Sequence, residues 1–363
     1  MTTSTRTTPT LAELTTLRVG GPAGRYVETS SEAELIEAVR SADDAGEPLL
    51  VLGGGSNVLV SDAGFDGVVV RDLRTGVTTP DHSACAGVTV LVPAGTPWDD
   101  VVAHAVGTRL YGVEALSGIP GSTGATPVQN VGAYGQEVAQ SIATVRTWDR
   151  ARGRVRTLAF VDLAFGYRTS LLKRSMRVDP ADPRSPWSPT PRYVVLDVTL
   201  QLRVGPLSAP IAYAELAKAL DIAVGERAPL ADVRAAVLAL RAGKGMVLDP
   251  TDPDTSSAGS FFTNPVLTAA DAALLPDDAP RYPAGGGMTK TSAAWLIERA
   301  GFGRGYGLPG PAAVSTKHTL ALTNRGGARA QDVLALARTI RDGVAASFGI
   351  ALEPEPVLVG ATL

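Results

Sequence analysis

The sequence predicts a protein of mixed helices and strands arranged in two or three domains. Its 363 residues exceed what one ordinary hydrophobic core organises. Capped, helix-spaced segments alternate with short β-like runs along the whole chain. An apolar share of 45% and a charged share of 19% are those of a globular chain able to fill such cores.

Taken in order, Ser31 and Glu34 form a capping box, and Leu35, Ala38, Val39 and Ala42 follow at helical spacing. Residues 48–52 read as a buried strand running into Gly53, Gly54, Gly55, Ser56 and Asn57. Short strands are expected over 58–60 and 67–70, joined by a glycine-containing turn. A Rossmann fingerprint would need those glycines to open a helix, whereas Val58 begins a β-like segment. A β-rich stretch over 88–93 and a helix over 97–107 come next, and residue 118 opens a second glycine-rich segment that runs through Gly135. Strands resume over 145–148 and 194–202. Between them, residues 179–192 hold Pro180, Pro183, Pro186, Pro189 and Pro191, a density that predicts a surface loop. Helices return over 230–242, 292–300 and 329–348. The last puts Val333, Leu336, Ile340, Val344 and Phe348 on one face. There is no internal repeat, and domain changes are expected near 80–90 and 215–230.

Composition narrows the function. A formal charge of −3 favours neither nucleic acid nor an anionic membrane as partner. The polar, Thr-rich first ten residues do not read as a signal peptide, and no stretch of 18 apolar residues reads as a membrane span. Cys85 is the only cysteine, so an intrachain disulfide is impossible and a cytoplasmic location is expected. Cys85 itself, between Ala84 and Ala86, reads as a small buried hydrophobe. His82, His104 and His318 have no metal-ligand spacing, so any redox work falls to an organic cofactor. The few lysines, Lys173, Lys218, Lys244, Lys290 and Lys317, stand out in a chain whose basic residues are nearly all arginine.

Two glycine loops carry the first functional signal. Glycine permits positive φ and close backbone approach, and successive N–H groups in such turns form anion nests. Gly53, Gly54 and Gly55 with Ser56 and Asn57 make one, and Gly121, Ser122, Thr123 and Gly124 make another. Either alone fits a tight structural turn; together they favour a pyrophosphate-bridged dinucleotide. Gln129 and Asn130 offer amides to a flavin ring edge, or simply satisfy their own loop.

A longer ordered set carries a resemblance. It comprises the 53–57 loop, residues 118–135, Gly166-Tyr167-Arg168-Thr169-Ser170 and Ala258-Gly259-Ser260-Phe261-Phe262-Thr263-Asn264-Pro265. Ala294-Trp295-Leu296-Ile297 and Glu353-Pro354-Glu355 complete it. Over about residues 17–360 this closely resembles the UDP-N-acetylenolpyruvoylglucosamine reductase family, also called UDP-N-acetylmuramate dehydrogenases. The resemblance implies an α+β fold: a vanillyl-alcohol-oxidase-like, two-domain FAD cradle plus an α+β substrate domain. The implied boundaries are 1–85 with a C-terminal return over 350–363, then 86–225, then 226–349. It implies noncovalent FAD, NADPH as donor, a UDP-sugar substrate and a monomer. Residues 211–216, with Tyr213, are similar to the longer family branch in which a tyrosine closes over substrate.

The resemblance also implies residue roles. Arg168 would grip the substrate carboxylate, Ser260 would donate the proton and Glu355 would support them. Gly53, Gly54, Gly55, Ser56, Asn57, Ile119, Gly121, Ser122, Gly124, Gln129 and Asn130 would hold FAD. Tyr134, Tyr167, Tyr213, Lys244, Asn264 and Lys290 would meet the substrate. Without the resemblance, Arg168 suits a surface ion pair, Ser260 a cap, and Glu355, between Pro354 and Pro356, an exposed loop. One departure stands out. Pro356 and Val357 follow Glu355 where the family commonly has Val then Arg, so another cation such as Arg341 or a lysine is expected to compensate. The competing readings are a cradle-fold oxidase of small alcohols and a non-catalytic nucleotide-sugar binder. The first commonly attaches FAD through a His or Cys that the first loop lacks, and the second has no need of the Arg168, Ser260 and Glu355 set.

Overall fold

The computed structural model describes residues 9–83 and 87–363, so the readings made for Cys85 and for the first eight residues lie outside it. The described chain divides into two compact units. One holds residues 23–55 and 66–243, the other residues 9–22, 56–65 and 244–363.

In the first unit, Ala23–Thr29, Phe65–Asp72 and Leu49–Val51 form a three-stranded sheet in that order. The helix Glu32–Ala45 covers it with Leu35, Val39 and Ala42. Ser31 accepts from the Glu34 N–H at 3.2 Å, as the capping box predicts. The same core takes in Trp148, Val194 and Leu196 from a larger sheet. That sheet runs Arg154–Ala159, Ile142–Asp149, Tyr193–Val204, Gly87–Pro93, Thr78–Ser83. Val88, Val90 and Val92 alternate inward along one strand and meet Trp98, Val101 and Val102 of the helix Trp98–Gly107. The two sheets of this unit thus share a core. Arg234 on the helix Leu230–Gly243 pairs with Asp99 through two bonds of 2.7 Å. The proline-rich 179–192 segment is irregular, as expected, but Trp187 is buried in it, with Arg150 and Arg184 guanidiniums 4.7 and 4.8 Å from its ring centroid.

In the second unit, Ser257–Ser260, Ala321–Asn324 and Ala312–Val314 form an antiparallel sheet. The helix Ala330–Phe348 buries Val333, Leu336, Ile340 and Val344, the stripe read from the sequence. Val58–Val60 pairs in parallel with Val357–Val359 near the chain end. The strands over 58–60 and 67–70 therefore do not pair with each other: the first joins the C-terminal return and the second joins Leu49–Val51. No helix among the described residues is long and apolar enough to cross a membrane.

Candidate active site

The first unit brings the two glycine loops together. A Cβ on Gly53 would lie 2.3 Å from Ser122 Oγ, and one on Gly54 would lie 2.5 Å from Gly121 Cα. Backbone meets backbone there, which only glycine allows. The second loop is fixed from below: Thr123 N–H donates to Thr96 at 2.8 Å, Gly124 N–H to Ala94 at 2.9 Å, and Trp98 N–H to Gly121 at 2.9 Å. Gly118, where the loop opens, donates to Asp99 Oδ1 at 2.6 Å. Beside the loops is a cavity of about 110 Å³ lined by Val51, Gly53, Ser122, Gly124, Thr190 and Tyr193. Paired glycine turns with an adjoining apolar recess fit one end of a flavin dinucleotide and the phosphates that follow it. Ile119 packs half-buried against the core beneath.

The Gly166–Ser170 motif is a tight turn followed by a cap. Gly166 and Thr169 exchange backbone bonds of 3.0 and 3.2 Å, which leaves Tyr167 and Arg168 at the tip. Arg168 has φ 50°, a left-handed conformation that disfavours any residue with a Cβ by about 1–2 kcal/mol. Its Nη2 donates to the Gly132 carbonyl at 2.9 Å, and its guanidinium carbon lies 5.8 Å from the Tyr167 ring centroid. Ser170 caps the short helix Leu171–Arg174 by accepting from Lys173 N–H at 3.3 Å, and its hydroxyl donates to Val128 at 2.5 Å. Lys173 Nζ donates to Gln129 Oε1 at 3.4 Å.

Asn130 departs from the flavin-edge role considered for it. It is 1% exposed, and its amide serves the protein. Nδ2 donates to Glu137 at 2.7 Å and to the Gly166 carbonyl at 3.2 Å, and Oδ1 accepts from Ala139 N–H at 3.1 Å. Asn130, Tyr134 and Arg168 have φ of 51°, 48° and 50°, so left-handed side-chain-bearing residues gather at this part of the fold.

Tyr134 and Tyr213, 79 positions apart, meet edge to face with ring centroids 5.6 Å apart. Gly135 permits the approach, since a Cβ there would lie 3.1 Å from Ala212 Cβ. Burial pushes the Tyr134 hydroxyl up to about 12, which keeps it a neutral donor at physiological pH. Tyr213 is half exposed.

The second unit arranges Ser260 and Glu355. The strand Ser257–Ser260 bulges against Ala321–Asn324, and Gly259 takes φ 73° in the bulge, which re-aims Ser260 at the strand end. Phe261 and Phe262, each 1% exposed, stack edge to face at 5.1 Å and anchor that end in the core. The chain returns alongside them: Thr263 N–H donates to Glu353 at 3.1 Å, and Glu355 N–H donates to Phe261 at 2.8 Å. Asn57 clasps the same segment, donating through Nδ2 to the Glu355 carbonyl at 3.3 Å and accepting from Val357 N–H at 3.0 Å. Glu355 is buried at 9% exposure, not the exposed loop residue its two flanking prolines suggest. Asn264 Oδ1 caps the helix Ala293–Arg299 through Ala293 N–H at 2.9 Å. Lys290 pairs across from Val266, two residues after Asn264, in a three-stranded sheet whose middle strand is Thr289–Lys290. Lys244 is half-buried and opens the last segment of this unit. Arg341, considered as a substitute cation, forms an ion pair with Asp342 at 2.8 Å.

Residues 249–359 match the C-terminal domain family of UDP-N-acetylenolpyruvoylglucosamine reductase, and residues 23–159 match the FAD binding domain family. UDP-N-acetylenolpyruvoylglucosamine reductase of Thermobifida fusca (strain YX) is 52% identical, over 100% of both chains. The chain belongs to the UDP-N-acetylenolpyruvoylglucosamine reductase family. The reductase of Nocardia farcinica is 56% identical over 97% of this chain and 89% of that one. The crystal structure of UDP-N-acetylenolpyruvylglucosamine reductase from Thermus caldophilus matches with a TM-score of 0.62 and 26% identity, over 97% of each chain. That likeness, with the FAD binding domain match, makes the fold α+β with an FAD-binding domain. Within this reductase fold, Glu137 is the residue that sequence reasoning passed over, and the contact of Gly132 with Arg168 was not foreseen. No spacing rule couples Glu137 to Asn130 or Gly132 to Arg168; only the folded hairpin does.

Proposed function

We propose that this chain reduces UDP-N-acetylglucosamine enolpyruvate to UDP-N-acetylmuramate with NADPH, through noncovalently held FAD, as a step of peptidoglycan precursor synthesis. The observation that carries the reading is a buried glutamate, Glu355, hydrogen-bonded alongside the strand end that presents Ser260. The reading places the enzyme in the cytoplasm as a monomer acting on small molecules.

The residues divide the work by chemistry. Gly53, Gly54, Gly55, Gly121, Ser122 and Gly124 would hold the FAD phosphates by backbone approach, and Gln129 would offer its amide to the cofactor. FAD, when bound, supplies the two-electron chemistry that links NADPH to the enolpyruvyl double bond. Reduction builds negative charge on the substrate carboxylate, and the permanently charged, forked guanidinium of Arg168 grips and stabilises it. The carbon next to the reduced one then needs a proton, which the Ser260 hydroxyl delivers. An ordinary hydroxyl is a poor acid, so this step relies on a strongly basic carbon and fixed geometry. Glu355 supports reprotonation of Ser260. Lys244, Lys290 and Asn264 receive the UDP diphosphate region, and Tyr134, Tyr167 and Tyr213 shape the sugar side.

A flavin absorbance titration tests this directly. NADPH should bleach the FAD-loaded protein, and UDP-N-acetylglucosamine enolpyruvate should restore the colour with formation of UDP-N-acetylmuramate. A chain that takes up no FAD, or whose bleached form ignores the enolpyruvyl substrate, contradicts the reading.

A further inference from the structure

We infer that Asn130 and Glu137 are positioning residues that fix the Arg168 guanidinium for substrate, an inference that rests on the assignment of Arg168 to the substrate carboxylate. Two anchors hold the Arg168 turn. At its base, the Gly166 carbonyl accepts from Thr169 N–H and also from Asn130 Nδ2, both at 3.2 Å. At its tip, Arg168 Nη2 donates to the Gly132 carbonyl at 2.9 Å.

Both anchors lead to one small hairpin. Gly132–Ala133 pairs with Gln136–Glu137, and Gly132 sits opposite Glu137. Asn130 ties itself to the far strand by donating to Glu137 Oε2 at 2.7 Å and accepting from Ala139 N–H at 3.1 Å. Its amide orientation follows from these partners, since Nδ2 faces two acceptors and Oδ1 faces a donor. Packing reinforces the tie: a Cβ on Gly132 would lie 2.9 Å from Glu137 Cγ and 3.3 Å from Arg168 Nη1. The carboxylate stem and the guanidinium therefore crowd the same glycine.

The arrangement matters because a guanidinium reads a carboxylate through a planar fork, which tolerates little rotation. Arg168 occupies a left-handed position, so the direction of its side chain depends on the turn being held. Loss of the Asn130 bond leaves the Gly166 carbonyl held by Thr169 alone, and the slackened turn lets the fork swing away. The glycine loops that hold FAD are tied by other bonds, from Thr123, Gly124 and Trp98, and stay in place.

A double-mutant cycle tests the inference in the FAD-loaded enzyme, with FAD content and the two half-reactions read separately by stopped-flow absorbance. Asn130→Gly removes the amide and keeps a residue suited to φ 51°. It should slow reoxidation by the enolpyruvyl substrate about 10- to 100-fold while FAD content and NADPH-driven bleaching stay near those of the parent. In an Arg168→Lys background the same change should add less than about threefold, because the fork it positions is already gone. Glu137→Ala should behave like Asn130→Gly, and Glu137→Gln, which keeps an acceptor for Asn130, should recover most of the loss. Losses that multiply fully in the Arg168→Lys background overturn the inference, as does loss of FAD from both Asn130→Gly and Glu137→Ala. If only one of the two retains FAD, that variant carries the cycle. An Arg168→Lys enzyme with an undiminished substrate half-reaction instead refutes the role of Arg168 itself, a result obtained without touching Asn130.

Discussion

The backbone N–H of Glu355 donates to the carbonyl of Phe261 at 2.8 Å, and Phe261 is the residue after Ser260. Two positions 95 apart in the chain are thus set by one ladder, which continues through the bridge between Phe262 and Pro354. The backbone that carries both residues is anchored by the buried Phe261 and Phe262. This is the kind of support a proton-donating hydroxyl needs.

Ser260→Ala is therefore expected to spare the fold and the cofactor while removing the proposed proton donor. Turnover with the enolpyruvyl substrate should fall by about 100- to 10,000-fold, with NADPH-driven bleaching of the flavin unchanged. Equal slowing of both half-reactions would refute the role given to Ser260.

Arg168→Lys keeps the charge but loses the fork and the bond to the Gly132 carbonyl. The substrate half-reaction should slow by about 100- to 1,000-fold with flavin content retained. Loss of flavin on this change would make Arg168 a structural residue.

Gly54→Ala tests the meeting of the loops. The added methyl would lie 2.5 Å from Gly121 Cα, where backbone stands and no side chain can swing aside. A loss of about 1–3 kcal/mol in stability is expected, with flavin released on gel filtration. A variant that keeps full flavin and an unchanged melting temperature would show that the loops do not pack in this way.

Asp254 governs part of the acid stability of the second unit. Burial opposes its ionisation, but the Thr316 hydroxyl and N–H, the Ser315 hydroxyl and the Arg325 guanidinium outweigh that and hold the carboxyl below its ordinary 3.8. Thr316 donates at 2.6 and 2.9 Å and Arg325 at 2.7 Å. A carboxyl with a lowered folded value stabilises the fold above 3.8, and that contribution is lost as pH falls through the lowered value. Asp254→Asn should cost about 3 kcal/mol at neutral pH. The gap in melting temperature between the two proteins should narrow below pH 3.8, and a constant gap counts against the assignment.

Much of this was legible before any fold. The Ser31 cap, the apolar stripe of the helix Ala330–Phe348 and the proline-rich loop follow from local chemistry, and the structure has them where the sequence puts them, though Glu34 returns to the Ser30 N–H and not to Ser31. The glycine loops were legible as backbone-exposing turns, but their packing on each other was not, because Gly54 and Gly121 are 67 positions apart. Glu355 reads as exposed because prolines flank it, yet long-range pairing buries it.

The sequence by itself determined which elements form and which residue types are on hand, since capping, periodicity and backbone freedom act within a few residues. Tertiary structure alone decided the partners: Val58–Val60 with the chain end, Asn57 with Glu355, Tyr134 with Tyr213, and Asn130 with the turn that carries Arg168. The physical reason is that hydrogen bonds and ring contacts act over a few ångströms, and only burial of the shared cores brings such distant residues within that reach.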